Sequence, residues 1–414
     1  CVAVLEITSS CNLTCPMCYA SSRPGGSHMS LSNCQRAIDH LVRYEGRPEV
    51  LQLSGGEPTV HPEFLEILNY ACNQPIDIVM INTNGIRLAS DERLLDELAK
   101  RNRRCEVYLQ FDGFDDQAYQ HLRGESLLET KLKAIEKLGE RDVRVTLVCT
   151  VERDVNLNQL GEMTHFGIAR PWITGISFQP ATYVGRYVKP ESLEQRVTFP
   201  DIISAVADQT GGQWQQSDFL PLPCAHPNAH SLAYGYREKQ QLVPLTRFID
   251  IHNHLDLLAN GITFNRSSAK ELIAEFISRQ SCGCSDGQCG PVSLTAFPQS
   301  QKPSLPVLGG SIESDSISNI EEMAASFFRR SLAQDLSPAD VFRITTTSFM
   351  DAYNFDVRQL MKSCVHHLLP SGHLIPFCAY NVLYRTGIVP LPDLNQSTVA
   401  GDKTAELVSL RGSV

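Results

Sequence analysis

Short β-branched and apolar runs alternate with stretches of helical period from residue 3 to about residue 210, the pattern of βα units around a parallel sheet. It predicts six strands, over residues 3–8, 50–53, 76–81, 106–111, 143–151 and 175–180. Six such strands build an open barrel or a doubly wound sheet. Helix starts lie between them: Ser32 with Gln35 at capping-box spacing, Pro62 at a first-turn position, and Ser90 ahead of Asp91 and Glu92. In α/β sheets of this kind the loops at the carboxyl ends of the strands carry the chemistry.

Past Asp201 the regularity fades. The expected organisation is a βα core over residues 1–210, a Cys- and His-containing extension over 211–295, a Pro/Ser/Gly-rich linker over 296–318, a smaller C-terminal unit over 319–391 and a polar tail over 392–414. A helix with a basic end is expected over 320–334. Within it, residues 323–332 set Phe327 and Phe328 beside Arg329 and Arg330, a candidate amphipathic entrance for a lipid or simply a surface helix.

The 414 residues are 42% hydrophobic and 20% charged, globular composition with enough apolar residues for a sizeable core. A formal net charge of −10 argues against a nucleic-acid partner. No apolar run is long enough for an integral membrane segment, and Glu6 sits early in a start without basic residues, unlike a signal peptide. The chain opens on Cys1 rather than Met, the expectation for a piece of a longer parent.

Fourteen cysteines in a long acidic chain, unevenly clustered, point to a reduced, cytoplasmic protein that uses thiolates for metal. Cys34, Cys72, Cys105 and Cys149 stand singly in apolar segments and read as buried small hydrophobes. Cys11-Asn-Leu-Thr-Cys15-Pro-Met-Cys18 is different, with three thiols on one loop directly after the first strand. Three thiolates bind three irons of a cubane cluster and leave the fourth open, whereas a structural zinc site closes with four ligands. Ser54-Gly55-Gly56-Glu57-Pro58 follows the second strand. Adjacent glycines allow close backbone approach, and a carboxylate there can accept from an ammonium. Asn84, Gln110, Asp112, Thr150 and Gln179 fall at later strand ends, as ribose, carboxylate or substrate contacts or as loop caps.

On these motifs the chain resembles the radical S-adenosylmethionine superfamily over nearly all of residues 1–210. The resemblance implies a partial (β/α)6 barrel carrying a smaller Cys-containing C-terminal unit. It further implies a 4Fe-4S cluster on Cys11, Cys15 and Cys18, and S-adenosylmethionine bound to its open iron and contacted by the Gly55-Gly56-Glu57 segment. Reductive cleavage to a 5′-deoxyadenosyl radical would follow, with the protein positioning the cofactor. A ferredoxin or flavodoxin is the implied electron donor.

Further cysteines extend the picture. Cys282-Gly-Cys284-Ser-Asp-Gly-Gln-Cys289 has glycines that let a loop wrap a metal, and Cys224 stands near His226 and His230. Cys364 and Cys378 flank a turn, and strand pairing about Ser371 would set them opposite each other, at a separation that suits two ligands of one cluster or a disulfide. The segments around Cys224, Arg247 and Cys364 to Asn381 resemble the branch that contains class D methylases and archaeal tetraether lipid synthases. That resemblance implies auxiliary clusters, with Cys1 as the last cysteine of an upstream cluster segment. Asn228 stands where relatives often carry another cysteine, which weakens Cys224 as a ligand. The expected function is radical functionalisation of an unactivated carbon, foremost C-methylation of a pterin-like small molecule. The alternatives are lipid C–C coupling, a peptide-modifying maturase and a non-catalytic metal protein.

Overall fold

The computed structural model describes residues 2–238, 241–249, 273–275 and 314–391. All six expected strands are present: β1 (Val2–Thr8), β2 (Val50–Gly55), β3 (Ile78–Thr83), β4 (Cys105–Gln110), β5 (Val145–Val151) and β6 (Ile173–Pro180). They lie side by side in chain order and pair in parallel throughout. Helices α1 (Leu31–Glu45), α2 (Phe64–Cys72), α3 (Glu92–Ala99), α4 (Asp116–Arg123), α5 (Leu128–Gly139), α6 (Leu160–Ile168) and α7 (Phe199–Gln209) intervene or follow.

The helix starts differ in detail from the sequence expectation. Ser30, not Ser32, caps α1, its hydroxyl accepting from Asn33 N–H; Ser32 already lies inside the first turn. Helix α2 begins two residues beyond Pro62, and Asp91 rather than Ser90 caps α3 by accepting from Leu94 N–H. Cys34, Ala37, Ile38 and Leu41 form the buried stripe of α1, the spacing that keeps one helical face on the sheet.

Later residues enlarge the same sheet. After β7 (Leu220–Pro221), β8 (His230–Glu238), β9 (Gln241–Pro244) and α8 (Ser314–Leu332) comes β10 (Val341–Thr347), which adds in parallel to β6 and carries β8 antiparallel on its far side. After the short helix α9 (Val357–Leu360), β11 (Val365–Leu368) adds in parallel to β1, with β12 (Leu374–Pro376) antiparallel at the edge. Eight strands therefore run parallel, in the order β11-β1-β2-β3-β4-β5-β6-β10. The sheet crosses the boundary that the sequence places at residue 210.

Strand residues alternate between two environments because successive side chains point to opposite faces. Leu5, Leu53, Ile81, Leu109, Leu147 and Ile176 face the helices and are fully or nearly fully buried in the main core. Their neighbours Val4, Gln52, Asn82, Gln110, Val148 and Ser177 face a cavity of about 190 Å³. The outer face is mostly apolar, and the inner face mixes apolar and neutral polar groups with the charged Arg343. Among the described residues no helix is long and apolar enough to cross a membrane.

Candidate active site

The three-cysteine loop closes one end of this cavity. Cys11 and Cys15 are buried, and Cys18 is half-buried and borders the cavity. Burial pushes the Cys11 thiol up to about 12 and raises Cys15 as well. Such thiols stay protonated by themselves, and only a cation bound directly to sulfur makes them thiolates at neutral pH. Leu13 N–H donates to Cys11 Sγ at 3.4 Å, a contact that also suits a ligated sulfur.

The loop is held from several sides. Cys18 and Arg186 exchange backbone hydrogen bonds, and the Arg186 guanidinium donates to the carbonyls of Cys15, Ser21 and Ser22. Gly56 lies against the loop's first residues: a Cβ there would stand 2.2 Å from Ser10 O, so only glycine fits. Gly55, at φ +139°, is packed as tightly on Thr8 O.

The same segment is also tied into the protein internally. The close approach that Gly55 and Gly56 permit is filled by the protein's own Thr8–Ser10 backbone, with Gly56 N–H on Thr8 O and Glu57 N–H on Ser10 O. The Glu57 carboxylate, 1% exposed, is satisfied internally. Its Oε1 accepts from Thr59 N–H, Thr59 Oγ1 and Thr83 Oγ1, and its Oε2 from Asn84 N–H. Glu57 thereby ties the β2 and β3 loops together, with three of its four hydrogen bonds on Oε1 and one on Oε2.

Asn84 in turn donates through Nδ2 to Asn12 Oδ1 at 2.7 Å and approaches Cys11 Sγ at 4.0 Å. Asp112, fully buried, is likewise engaged: Arg123 grips it with two bonds of 2.7 Å, and Thr150 N–H donates to it. Gln110, Thr150 and Gln179 do border the cavity, Gln179 donating to Tyr108 OH at 3.0 Å. Of the anticipated cofactor contacts, these three share the cavity with Cys18, whereas Gly55, Gly56, Glu57, Asn84 and Asp112 shape the surrounding loops.

The hairpin expectation is met in register and corrected in partner. His366 faces Pro376, His367 faces Ile375 and Leu368 faces Leu374, a ladder symmetric about Ser371. The ladder stops short of the cysteines, because Cys378 has already turned into a helix. Its sulfur accepts from Met350 N–H at 3.2 Å, buried with Val4 and Phe377. Cys364 instead meets Cys224, Sγ to Sγ at 3.5 Å. Cys1, Cys282, Cys284 and Cys289 lie outside the described residues. On the helix with Phe327 and Phe328, Phe327 is fully buried against Tyr236 and Phe248, and Arg330 is paired with Asp340.

Sequence reasoning missed Arg123, Lys131 and Arg186. Lys131 left a readable signal, a lysine inside the apolar stripe Leu127, Ala134, Ile135 and Leu138. Burial draws its ammonium down to about 8, the negative charge of Asp112 opposing that shift. Arg186 left none.

Among the described residues, no three His, Cys, Asp or Glu side chains converge as ligands of a single ion. A cubane requires no such convergence, because it takes one thiolate per iron at separate corners. The donor set fits that group: three unbridged sulfurs on one rigid loop, the last of them at the cavity.

Comparison with known proteins agrees. A family model described as Radical SAM superfamily matches residues 5–167. The chain is 30% identical to the 7,8-dihydro-6-hydroxymethylpterin dimethyltransferase of Methanocaldococcus jannaschii, over 93% of this chain and 77% of that protein. It is 30% identical to the mycofactocin maturase MftC of Mycolicibacterium smegmatis over 38% of this chain and 39% of that one. Among solved structures, SuiB of Streptococcus suis bound to its precursor peptide SuiA aligns at 17% identity with a TM-score of 0.42, over 50% of this chain and 45% of that chain.

Proposed function

The chain belongs to the radical S-adenosylmethionine superfamily of enzymes, and from that premise we propose that it methylates a carbon of a pterin-like small molecule held in the barrel cavity. The superfamily works with a 4Fe-4S cluster and S-adenosylmethionine, which together supply a carbon radical. Cys11, Cys15 and Cys18 are the residues that would hold the cluster.

The observation that carries the substrate reading is the lining of the cavity. Gln52, Asn82, Tyr108, Gln110, Ser177 and Gln179 project into the space that Cys18 borders, with Arg123 and Arg343 and apolar side chains such as Met80, Leu232 and Phe377 completing a lining that contains no carboxylate among the described residues. Amides and hydroxyls both donate and accept, and the edge of a pterin alternates donors and acceptors in the same way. The Gln179–Tyr108–Ser177 chain of hydrogen bonds, at 3.0 and 2.9 Å, keeps these groups in place. The name of the relative aligned over most of the chain supports the same substrate class. A one-electron donor such as ferredoxin or flavodoxin completes the reading.

The test is an anaerobic reaction of reconstituted protein with excess dithionite, 7,8-dihydro-6-hydroxymethylpterin and S-adenosylmethionine in several-fold excess, one molecule to be cleaved to the radical and another to supply the methyl group, followed by mass spectrometry. Release of 5′-deoxyadenosine together with a pterin heavier by one or two methyl groups is expected. Release of 5′-deoxyadenosine with the pterin unchanged overturns the substrate. No release under any condition overturns the radical chemistry.

A further inference from the structure

Lys131 is completely buried on α5, yet no ion pair to it is present among the described residues. Its ammonium makes one hydrogen bond, to the carbonyl of Asn84. An ammonium has three N–H donors, and a charge taken out of water requires a counter-charge or a full set of acceptors.

The carboxylates around it are already committed. Asp112 is bound by both arms of Arg123, so that pair is close to neutral as a unit. Glu57 takes hydrogen bonds from Thr59, Thr83 and Asn84 and makes none with Lys131 among the described residues. The Cys15 sulfur has no hydrogen-bond partner among the described residues, and of the two buried cations that face it, Arg123 is bound to Asp112 whereas Lys131 has no carboxylate of its own. Asn84, the acceptor of the Lys131 bond, also reaches to Asn12 and toward Cys11, so Lys131 is anchored to the cysteine loop by a two-residue relay. Lys131 does not border the cavity, which separates it from substrate binding.

We propose that Lys131 is the internal counter-charge of the iron–sulfur cluster on Cys11, Cys15 and Cys18, and that it raises the reduction potential of that cluster. The inference rests on the assignment of those three cysteines. One-electron reduction adds a unit of negative charge to a group enclosed by low-dielectric protein. A fixed positive charge nearby stabilises the reduced form more than the oxidised one.

Three variants of the full chain test it. Lys131→Gln keeps a donor for Asn84 O and removes the charge, Lys131→Met removes both, and Lys131→Arg keeps the charge. Wild type and variants, reconstituted anaerobically, are titrated against potential without S-adenosylmethionine, with the reduced cluster followed by electron paramagnetic resonance. Iron content and circular dichroism are measured in parallel. At matched iron, the Gln and Met variants should have a reduction equilibrium constant about tenfold smaller, or about 59 mV more negative, and the Arg variant should stay close to wild type. If the Met variant fails to fold, the Gln variant decides alone. A folded Gln variant with full iron and unchanged potential overturns the proposal, and so does one that folds but holds no cluster, which would reduce Lys131 to a structural part. Wild type without a cluster overturns the cysteine assignment as well, and the iron content of the wild type tells the two failures apart.

Discussion

Arg186 and Cys18 exchange two backbone hydrogen bonds, 2.8 Å from Cys18 N–H to Arg186 O and 3.0 Å in return. The same arginine reaches Cys15 O with Nε at 3.0 Å and Ser22 O with Nη2 at 2.6 Å. The segment after β6 thus grips the loop after β1 by backbone and side chain together.

Arg186→Met should therefore loosen the loop without unfolding the protein. Three contacts from a charged donor are lost, each worth about 1.5–3 kcal/mol in a buried setting and less where solvent reaches them. The expected outcome is unchanged circular dichroism with faster loss of cluster absorbance on exposure to a chelator. Equal loss rates would show that the grip is incidental.

Cys15→Ala removes a small buried side chain, and its cost to folding should be modest, on the order of 1–2 kcal/mol. Its effect on chemistry should be complete, because two thiolates do not retain a site-differentiated cluster. Production of 5′-deoxyadenosine near the wild-type rate would refute the ligand assignment.

Asp112→Asn keeps the shape of the side chain and removes the charge that Arg123 needs. A buried guanidinium left without its partner costs about 3–5 kcal/mol, readable as a lower midpoint in urea unfolding. Replacing both residues together, Asp112→Leu with Arg123→Met, should recover much of that loss. If the double variant is no better than the single, the cost lies in packing.

His367 supplies a pH dependence. It is buried between Phe377 and Tyr380, and that burial lowers its pKa from 6.5 to about 4. Glu6 and Arg385 face it with opposing charges. The unfolded state then binds more protons than the folded state between those two values. Stability is complete above about pH 6.5 and falls as the pH drops toward 4, by roughly 3 kcal/mol at the low end. His230 adds a fall of the same sign. His367→Gln should flatten the slope of unfolding free energy against pH across this window, and an unchanged slope would exclude His367 as its source.

The Cys224–Cys364 contact of 3.5 Å is near the about 3.8 Å expected between two sulfurs on one tetrahedral metal at 2.3 Å. Replacing Cys11, Cys15 and Cys18 together by Ala should therefore leave residual iron or zinc, if Cys282, Cys284 and Cys289 complete that site. Adding Cys224→Ala and Cys364→Ala should remove it. A triple variant that folds yet holds no metal would leave these thiols as packing residues.

The sequence by itself determined whatever a few neighbouring residues encode. Short β-branched and apolar runs between helical periods marked all six core strands, since strands buried on both faces read as such runs. The cysteine loop was legible for the same reason, its three sulfurs lying within eight residues. Position at a strand end placed Gln110, Thr150 and Gln179 at the cavity. It could not show that Glu57 and Asp112, at equally suggestive positions, are consumed by partners. Thr83 and Asn84 reach Glu57 from the following βα unit, and Arg123 reaches Asp112 from the far end of α4, eleven residues on. Tertiary structure alone brought Arg186 to Cys15 across 171 residues and Cys224 to Cys364 across 140. It also inserted β10 beside β6 and β11 beside β1. Local periodicity fixes which way a side chain points, whereas the partner it meets depends on how the distant parts of the chain pack, and no short window of residues contains that information.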